Sequence, residues 1–263
     1  MAQTLGRVLY ENLLRQGTVS YDGTTVSGFE PANAYDWRDF SIFRADATIT
    51  TNLDTTFTSD VTMDAAGVFL RLDDDTGATI AVEYETASGS NVFTQVALFT
   101  APSDDSTALL QLKSFTEVTI LTGARLRFKI SGGPSDIDIR QLCAGSRLDF
   151  PIGQHVGLQP PSLSNKLVVD NVIAINGSII GRNTRRVTRQ HEIMLEYLDD
   201  SWVRTYWEPF AEHMQRYSCF WQWDPDDHED DVAFAAASNI SPPENSSPTP
   251  KMMVSMPLQV LVD

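Results

Sequence analysis

Residues 224–231 form the densest group of side chains in this sequence that could do chemistry. Seven of these eight residues are Asp, Glu or His. Carboxylates at alternate positions, as at Asp224 and Asp226, suit a hard cation such as Ca²⁺. The helix-loop-helix calcium pattern fails, however, because Glu229 stands where the turn needs glycine and Ala235 where a bidentate carboxylate is needed. We therefore predict a solvated loop between strands, with a loose surface cation site as the alternative.

Other catalytic and metal motifs are incomplete or absent. Residues 191–195, HEIML, resemble the start of a zinc-protease helix, but Leu195 stands where the second histidine is needed. There is no G-x-S-x-G nucleophile motif. Two carboxylates for glycoside hydrolysis stay an open alternative that no motif supports, because the chain has 35 acidic residues. The sequence predicts no catalytic residue, no metal site and no cofactor, and so a protein that is not an enzyme.

The charge balance argues against one class of partner. The chain carries 19 basic and 35 acidic residues, a formal charge of −16, with −9 in residues 1–150 and −7 in residues 151–263. Stable nucleic-acid binding needs a basic surface that neutralises phosphates. Neither half of the chain is therefore predicted to hold DNA.

One basic run interrupts this acidic background. The run RNTRR contains Arg182, Arg185 and Arg186, and Arg189 follows it. We predict the edge of a hairpin that pairs with the acidic surface of another subunit, with an anion-binding patch as the alternative.

The cysteines and the apolar runs indicate the compartment. Cys143 and Cys219 lie 76 positions apart and form no CxxC motif. They are predicted to be buried thiols in a protein made in a reducing compartment. The first residues lack a signal-peptide pattern, and no apolar run approaches the ~18 residues of a membrane span.

The spacing of apolar residues predicts the elements that position these groups. Residues 17–150 contain short runs rich in Thr, Val, Ile and Phe, separated by turn residues. In ARLRFKI, Leu126, Phe128 and Ile130 alternate with basic residues, which is typical of a strand with one buried face. Residues 1–150 are therefore predicted to be an antiparallel β-sandwich.

The pattern changes near residues 148–162, a proline-containing stretch predicted to be a linker or an extended arm. Residues 151–263 are predicted to be a smaller β-domain, with a hairpin at Asn176-Gly177 and one amphipathic helix at about 201–216. Pro209 should kink or break that helix. The aromatic residues of this half are predicted to join the helix to the sheet and to be structural or interface residues: Trp202, Trp207, Phe210, Trp221 and Trp223.

Three stretches of the first half resemble the galactose-binding-like, discoidin-type jelly roll. They are ANAYDWRDFSIFRA, DVTMDAAGVF and ARLRFKISGGPSDIDIRQLCAG, with the match at Ala34 to Trp37, Val68 to Phe69 and Ala124 to Leu142. The resemblance implies a jelly-roll sandwich. It also raises a carbohydrate-binding adhesin as the alternative function, with Trp37 and Asp73, Asp74 and Asp75 as possible ligand-binding residues and Trp37 as a core residue otherwise.

The second half is similar to tail proteins of long-tailed phages. The similarity lies in GRNTRR, in the W-x-P-F pattern of WEPF, and in the aromatic strand FWQWDP with the acidic loop that follows it. It implies a mainly β, tail-tube-like domain in a structural protein of the tail tip or baseplate, similar to distal tail proteins.

The same resemblance implies partners and a location. We expect a homo-oligomeric ring, hexameric or trimeric, that contacts the tail tube, the hub or the fibres and functions in host attachment. DNA would meet it only in passage through the channel, where acidic walls repel phosphate. The protein would be made in the host cytoplasm and reside in the virion. Asp226, Asp227 and Asp230 are then predicted to line a subunit contact or the channel.

Overall fold

The structure is a computed structural model that describes residues 5–38, 40–71, 77–101, 109–133, 136–153, 160, 165–173, 179–245 and 251–260. For residues 165–173, 179 and 182–190 it describes the backbone and not the side chains. The protein is mainly β, as the sequence predicts, and its strands pair in antiparallel fashion. The strands, numbered along the chain, are β1 (Arg7–Leu9), β2 (Thr18–Tyr21), β3 (Phe43–Asp46), β4 (Thr51–Thr56), β5 (Val61–Arg71), β6 (Thr79–Glu85), β7 (Phe93–Thr100), β8 (Leu109–Ile120), β9 (Arg125–Ser131), β10 (Asp136–Gly145), β11 (Leu148–Asp149), β12 (Asn165–Ile173), β13 (Ile179–Asp199), β14 (Ser218–Gln222), β15 (Val232–Ala237), β16 (Glu244–Asn245) and β17 (Lys251–Val260).

Two sheets form the predicted sandwich. One has the strand order β2-β4-β9-β6-β7 and the other β3-β10-β5-β8. On β9, Leu126, Phe128 and Ile130 are fully buried in the core between the sheets, while the basic residues that alternate with them are partly exposed. Alternation therefore identified the buried face of this strand correctly.

The four-stranded sheet of the sandwich is buried on both faces. On β5, Val68 and Leu70 pack into the sandwich core, whereas Ala65 and Phe69 pack into a second cluster on the opposite face. A register shift between Ile139 and Gln141 marks an irregularity in β10. This sheet is therefore a middle layer between the sandwich core and the second cluster.

The third layer is a sheet with the order β11-β1-β14-β15-β17-β13-β12, to which β16 adds by pairing with β17. It contains the strands of residues 151–263, and its two remaining strands come from residues before 150. In particular, Leu9 of β1 pairs with Phe220 of β14. The predicted first domain therefore contributes strands to the sheet of the second, and the division of the chain near residue 150 stays a prediction.

A helical segment packs on this sheet close to the predicted position. It consists of α1 (Asp200–Trp202), a π-helical turn (Val203–Trp207) and α2 (Glu208–Met214). Pro209 neither breaks the helix nor splits it in two. Instead the Glu208 N–H bonds to the Val203 carbonyl in the wider π turn, which accommodates a ring that would disturb a regular helix.

The described residues also form short 3₁₀ turns at Leu13–Arg15 and Pro31–Tyr35. No helix in the described part of the chain has both the length and the hydropathy needed to cross a bilayer.

Candidate interaction surfaces

The predicted aromatic residues of the second half divide into a buried group and a marginal group. Trp207, Phe210 and Trp221 are at most 1% exposed and share one apolar cluster between the helical segment and the third sheet. Trp202 and Trp223 are partly buried at the edge of that cluster. The first group anchors the helix, and only the second group reaches a surface where a partner could contact it.

The segment where β13 turns into α1 exposes aromatic rings. Tyr197 is 62% exposed and adopts a left-handed backbone with φ of 61° at a register shift of the strand. The ring of Trp202 lies 5.9 Å from the ring of Tyr206, which is 48% exposed. We call Tyr197, Trp202 and Tyr206 the aromatic corner.

Carboxylates flank the aromatic corner. Asp199 pairs with Lys251, and the Asp200 carboxylate accepts a hydrogen bond of 2.9 Å from Arg204. This hydrogen bond lowers the pKa of Asp200. The two carboxylate side chains remain 70% and 45% exposed. Such exposed pairs hold each other weakly, so these carboxylates are open to exchange their partners.

The acidic loop of residues 224–231 is more ordered than a freely solvated connection. The Trp223 indole donates a hydrogen bond of 2.8 Å to Asp231, and the His228 ring stacks on Trp223 with centroids 5.4 Å apart. The Asp227 amide donates to Asp224, which is buried, and Gln111 of the sandwich donates to Asp230. The surrounding polar groups thus hold the Asp224 and Asp231 carboxylates, whereas Asp226, Asp227 and Glu229 lie exposed on the loop.

This loop does not have the geometry of a metal site. Among the residues that the structure describes, no three His, Cys, Asp or Glu side chains are placed to hold one ion. Residues 227–231 instead line a shallow open depression. Its chemistry is that of a surface that attracts cationic groups without chelating them.

The basic run lies on a two-stranded extension of the third sheet. β12 pairs with β13 from Asn165 opposite Arg189 to Ile173 opposite Ile179. β17 pairs with β13 only from residue 189 onward among the described residues. We call residues 165–173 and 179–188 the basic ribbon. Arg182, Arg185 and Arg186 belong to it, but their side chains lie outside the described part of the structure, as does the predicted turn at residues 176–177.

Trp37 is not a surface residue. Its ring is 4% exposed, stacks 6.1 Å from Phe234, and lies 5.4 Å edge-on from His213. Its backbone is left-handed, with φ of 66°, and its N–H donates to the buried Gln141 side chain. The interpretation of Trp37 as a sugar-stacking residue does not fit this position. Asp73, Asp74 and Asp75 lie outside the described residues.

The junction between the sandwich and the third sheet contains residues that the sequence did not single out. His213 packs against Tyr10 and Tyr217 as well as Trp37, and its Nε2 lies 3.0 Å from the Ser218 carbonyl oxygen. Burial lowers the pKa of His213 and raises that of Tyr10 to about 12. These four rings pack the helix against the sandwich and the third sheet. Because Tyr10 and Trp37 lie far from His213 in sequence, no local pattern indicates their contacts with it.

The two cysteines are buried at this junction as free thiols. Burial raises the pKa of both. Because the thiolate is the reactive form, these thiols are unreactive packing groups.

The outer face of the five-stranded sheet carries a closed charge network. Glu85, 1% exposed, accepts hydrogen bonds of 3.0 and 3.2 Å from Arg125. Asp54 accepts two from Arg127, of 2.7 and 2.8 Å, and that guanidinium lies 3.7 Å from the centre of the Phe93 ring. The residue types alone do not reveal this ion pairing, because the partners lie on different strands.

Comparison with known proteins gives structural likeness only. No family model matches the sequence, and no curated protein matches it. Solved structures similar to it include chitosan-binding module 1 of a chitosanase/glucanase from Paenibacillus sp. IK-5, at 16% identity and a TM-score of 0.40, covering 51% of this chain and 98% of that one.

Two further structures illustrate the range of these neighbours. The module CpGH89CBM32-5 of Clostridium perfringens, in complex with GalNAc-β-1,3-galactose, is 9% identical with a TM-score of 0.39 and covers 52% of this chain and 99% of its own. A GH29 fucosidase of Ruminococcus gnavus is 12% identical with a TM-score of 0.43, over 54% of this chain and 28% of the fucosidase. The neighbours named here are thus carbohydrate-binding modules and a glycosidase.

Proposed function

We propose that this protein is a non-catalytic structural protein that assembles with copies of itself into a ring, as a component of the tail tip or baseplate of a long-tailed phage. The observation that carries the proposal is the basic ribbon, which extends beyond the pairing of β13 with β17 among the residues that the structure describes. The acidic loop of residues 224–231 also suits this role, because it lies at the surface and residues 227–231 line a shallow depression that a neighbouring subunit could cover.

The ribbon has the properties of a docking arm. Two paired strands alone are marginally stable in water, and they need packing against a further surface. Ile180 on the ribbon is 69% exposed, so apolar surface is also left uncovered. Partner binding would bury both the strand edge and this side chain.

Charge indicates what the arm would bind. The ribbon carries four basic residues and one acidic residue, a net charge of +3, so the rest of the chain carries −19. Another copy of this chain therefore offers a strongly acidic surface to the arm. Electrostatic complementarity of this kind guides association and fixes its orientation.

The remaining parts fit a ring component of a tail. The sandwich would project from the ring, where it could brace neighbouring parts or carry fibres. The acidic surface around the ring would let DNA pass without binding it. The ring would contact the tail tube on one side and the hub on the other, in a virion assembled in the host cytoplasm.

Charge reversal of the ribbon tests the proposal. The triple variant Arg182→Glu, Arg185→Glu and Arg186→Glu should stay folded but sediment as a monomer, whereas the matched triple Lys variant should assemble like the wild type. Sedimentation velocity at low and high salt measures this. If the Glu variant forms the same oligomer as the wild type, the assembly role of the ribbon is wrong. Imaging of the tail tip by electron microscopy tests the location.

A second candidate function, carbohydrate binding by the sandwich, is favoured by one loop. Phe40 is 76% exposed, and the Arg38 guanidinium lies 5.8 Å from the centre of its ring. Asp36 beside them accepts hydrogen bonds from the Arg38 amide and from Ser41. An exposed aromatic face with charged neighbours suits a saccharide ring. A glycan array that gives no signal with the wild type, or the same signal with Phe40→Ala, would eliminate this site.

A further inference from the structure

We infer that the aromatic corner is the surface on which the basic ribbon of a neighbouring copy docks. The inference rests on the proposed ring assembly and names the acceptor side of its subunit contact. It commits to one occupant, a second copy of this chain.

The corner contains two departures from regular structure within eleven residues, a left-handed residue and a π-helical turn. Tyr197 holds a left-handed backbone that a bulky side chain rarely adopts. The π-helical turn Val203–Trp207 lies beside it, and both features occur preferentially where proteins bind or act. Tyr206 and Tyr197 expose about half or more of their surface. A segment that served packing alone would bury these rings instead of presenting them.

The chemistry of the corner selects a cationic partner. Aromatic faces attract guanidinium groups, and the flanking carboxylates of Asp199 and Asp200 attract them as well. The described partners of these carboxylates, Lys251 and Arg204, bind them through ion pairs that are exposed to solvent. An arriving arginine therefore gains both a ring and a carboxylate, and the apolar rings would also cover exposed apolar surface such as Ile180. The ribbon, with its three arginines in five residues, supplies this combination.

The length of β13 prevents the ribbon from reaching the corner of its own chain. Residue 184 in the ribbon and Tyr197 lie on the same strand, thirteen positions apart. At about 3.3 Å per residue, the two sites are separated by roughly 40 Å. A contact between the ribbon and the corner must therefore join two copies of the chain. Such a head-to-tail contact between different surfaces closes into a ring when the rotation between copies permits it.

Substitutions in the corner test the inference separately from the ribbon. Tyr206→Ala and the pair Asp199→Lys with Asp200→Lys should each weaken self-association by about tenfold or more, as expected for residues at the centre of an interface. Neither change removes a helix cap, because the Asp199 side chain makes no capping hydrogen bond. Leu121→Ala, which truncates a similarly exposed apolar residue of the sandwich (46% exposed, against 48% for Tyr206), is the matched control and should assemble normally. Circular dichroism verifies that each variant is folded.

A charge swap and a crosslink identify the contact directly. Arg185→Glu with Arg186→Glu should abolish assembly, and adding Asp199→Arg with Asp200→Arg in the same chain should restore it. A photoreactive benzoylphenylalanine at position 206 should form crosslinks between chains that map to residues 165–189 by mass spectrometry.

The outcomes separate the inference from the function on which it rests. If the ribbon variants lose assembly while the corner variants assemble normally, or if the crosslinks map elsewhere, the corner is not the acceptor and the proposed ring assembly stands. If neither set of variants changes the sedimentation of the wild type, or if the wild type does not self-associate, both proposals fail.

Discussion

The outer face of the five-stranded sheet and the basic ribbon both place arginines on antiparallel strands, but they differ in the balance of acidic and basic residues in their sequences. On the sandwich, Arg125 and Arg127 are each bound to a carboxylate of the same sheet, and Phe93 lies under both guanidiniums. The described backbone pairing of ribbon residues 179–188 is with β12, and the ribbon sequence holds four basic residues and a single carboxylate. An ion-paired face of the first kind is structural, whereas the net charge of +3 on the ribbon suits it to an acidic partner.

The same contrast appears at the strand edges. On the sandwich, Lys113 of β8 donates a hydrogen bond of 2.7 Å to the Leu98 carbonyl of the edge strand β7. This contact occupies a backbone acceptor at an edge that could otherwise recruit another strand. β12, at the edge of the third sheet, has no described partner on its outer side. In the described part of the chain, a side chain thus protects the β7 edge, and no described strand pairs with the outer side of β12.

The largest effect that we predict tests whether the third sheet is as firmly packed as the sandwich. Trp207→Ala should lower the free energy of unfolding by about 3–5 kcal/mol, because it removes a fully buried ring and leaves a cavity. Tyr206→Ala, one position away and half exposed, is the matched control and should stay close to the wild type. Chemical denaturation measures both. Equal stability of the two variants would mean that the helix is not packed on the sheet.

A second prediction tests the closed charge network. Glu85→Gln should cost roughly 1.5–3 kcal/mol, since it replaces the charged acceptor of two hydrogen bonds from Arg125. The Arg125 hydrogen bond lowers the folded pKa of Glu85 below its usual value of about 4.5. The stabilisation is therefore complete above that pH and is lost as the pH falls through the folded pKa. The variant should lose stability less steeply in acid, and a slope equal to that of the wild type would contradict the network.

A third prediction tests the packing contact between the sandwich and the third sheet. A Cβ at Gly67 would lie 2.9 Å from the Phe220 ring, so Gly67→Ala should cost about 1–3 kcal/mol through overpacking of the junction. Phe220→Leu in the same background should recover part of that loss, because the two sites then couple favourably. Thermal unfolding monitored by calorimetry measures the variants. Strictly additive effects would indicate that the sandwich and the third sheet do not press on each other at this point.

The sequence predicted those parts of the fold that depend on local patterns. The alternation of Leu126, Phe128 and Ile130 identified a half-buried strand, and the spacing of Val203, Phe210 and Met214 identified the helix. The pairing of Leu9 with Phe220 joins residues more than two hundred positions apart, and no local pattern encodes it. β15 was not predicted either, because its run of alanines lacks the alternation of a half-exposed strand; it is buried over most of its length.

The candidate surfaces were predictable to a smaller extent. The basic run and the acidic loop were visible as charge, but whether a charge is satisfied depends on neighbours from distant strands. Glu85 and Asp54 illustrate this, since their arginine partners lie 40 and 73 positions away. Tyr197 was hidden for a different reason: its exposure follows from a left-handed backbone at a register shift, which the residue types do not indicate.

The smallest effect on stability concerns the acidic loop, and it tests whether charge outside the ribbon and the corner contributes to assembly. Reversal of Asp226, Asp227 and Asp230 to Lys should change the free energy of unfolding by no more than about 0.5 kcal/mol. These side chains lie on an exposed loop, and the Gln111 contact to Asp230 is long, at 3.4 Å. The triple variant should therefore keep the circular dichroism spectrum and the melting temperature of the wild type.

The assembly of this variant should nevertheless be slower, because three positive charges replace three negative ones on the surface that attracts the basic ribbon of a neighbour. The deficit should be clear at low salt and should shrink at about 0.15 M salt or above, where the screening length falls to roughly 8 Å. Tyr206→Ala removes a short-range contact instead, so its deficit should persist at both salt concentrations. Association followed by light scattering at two ionic strengths distinguishes these cases. An acidic-loop variant whose deficit does not depend on salt would place the loop inside the subunit contact. A stoichiometric calcium ion that the wild type retains through dialysis and the variant loses would instead restore the cation site that the sequence left as an alternative.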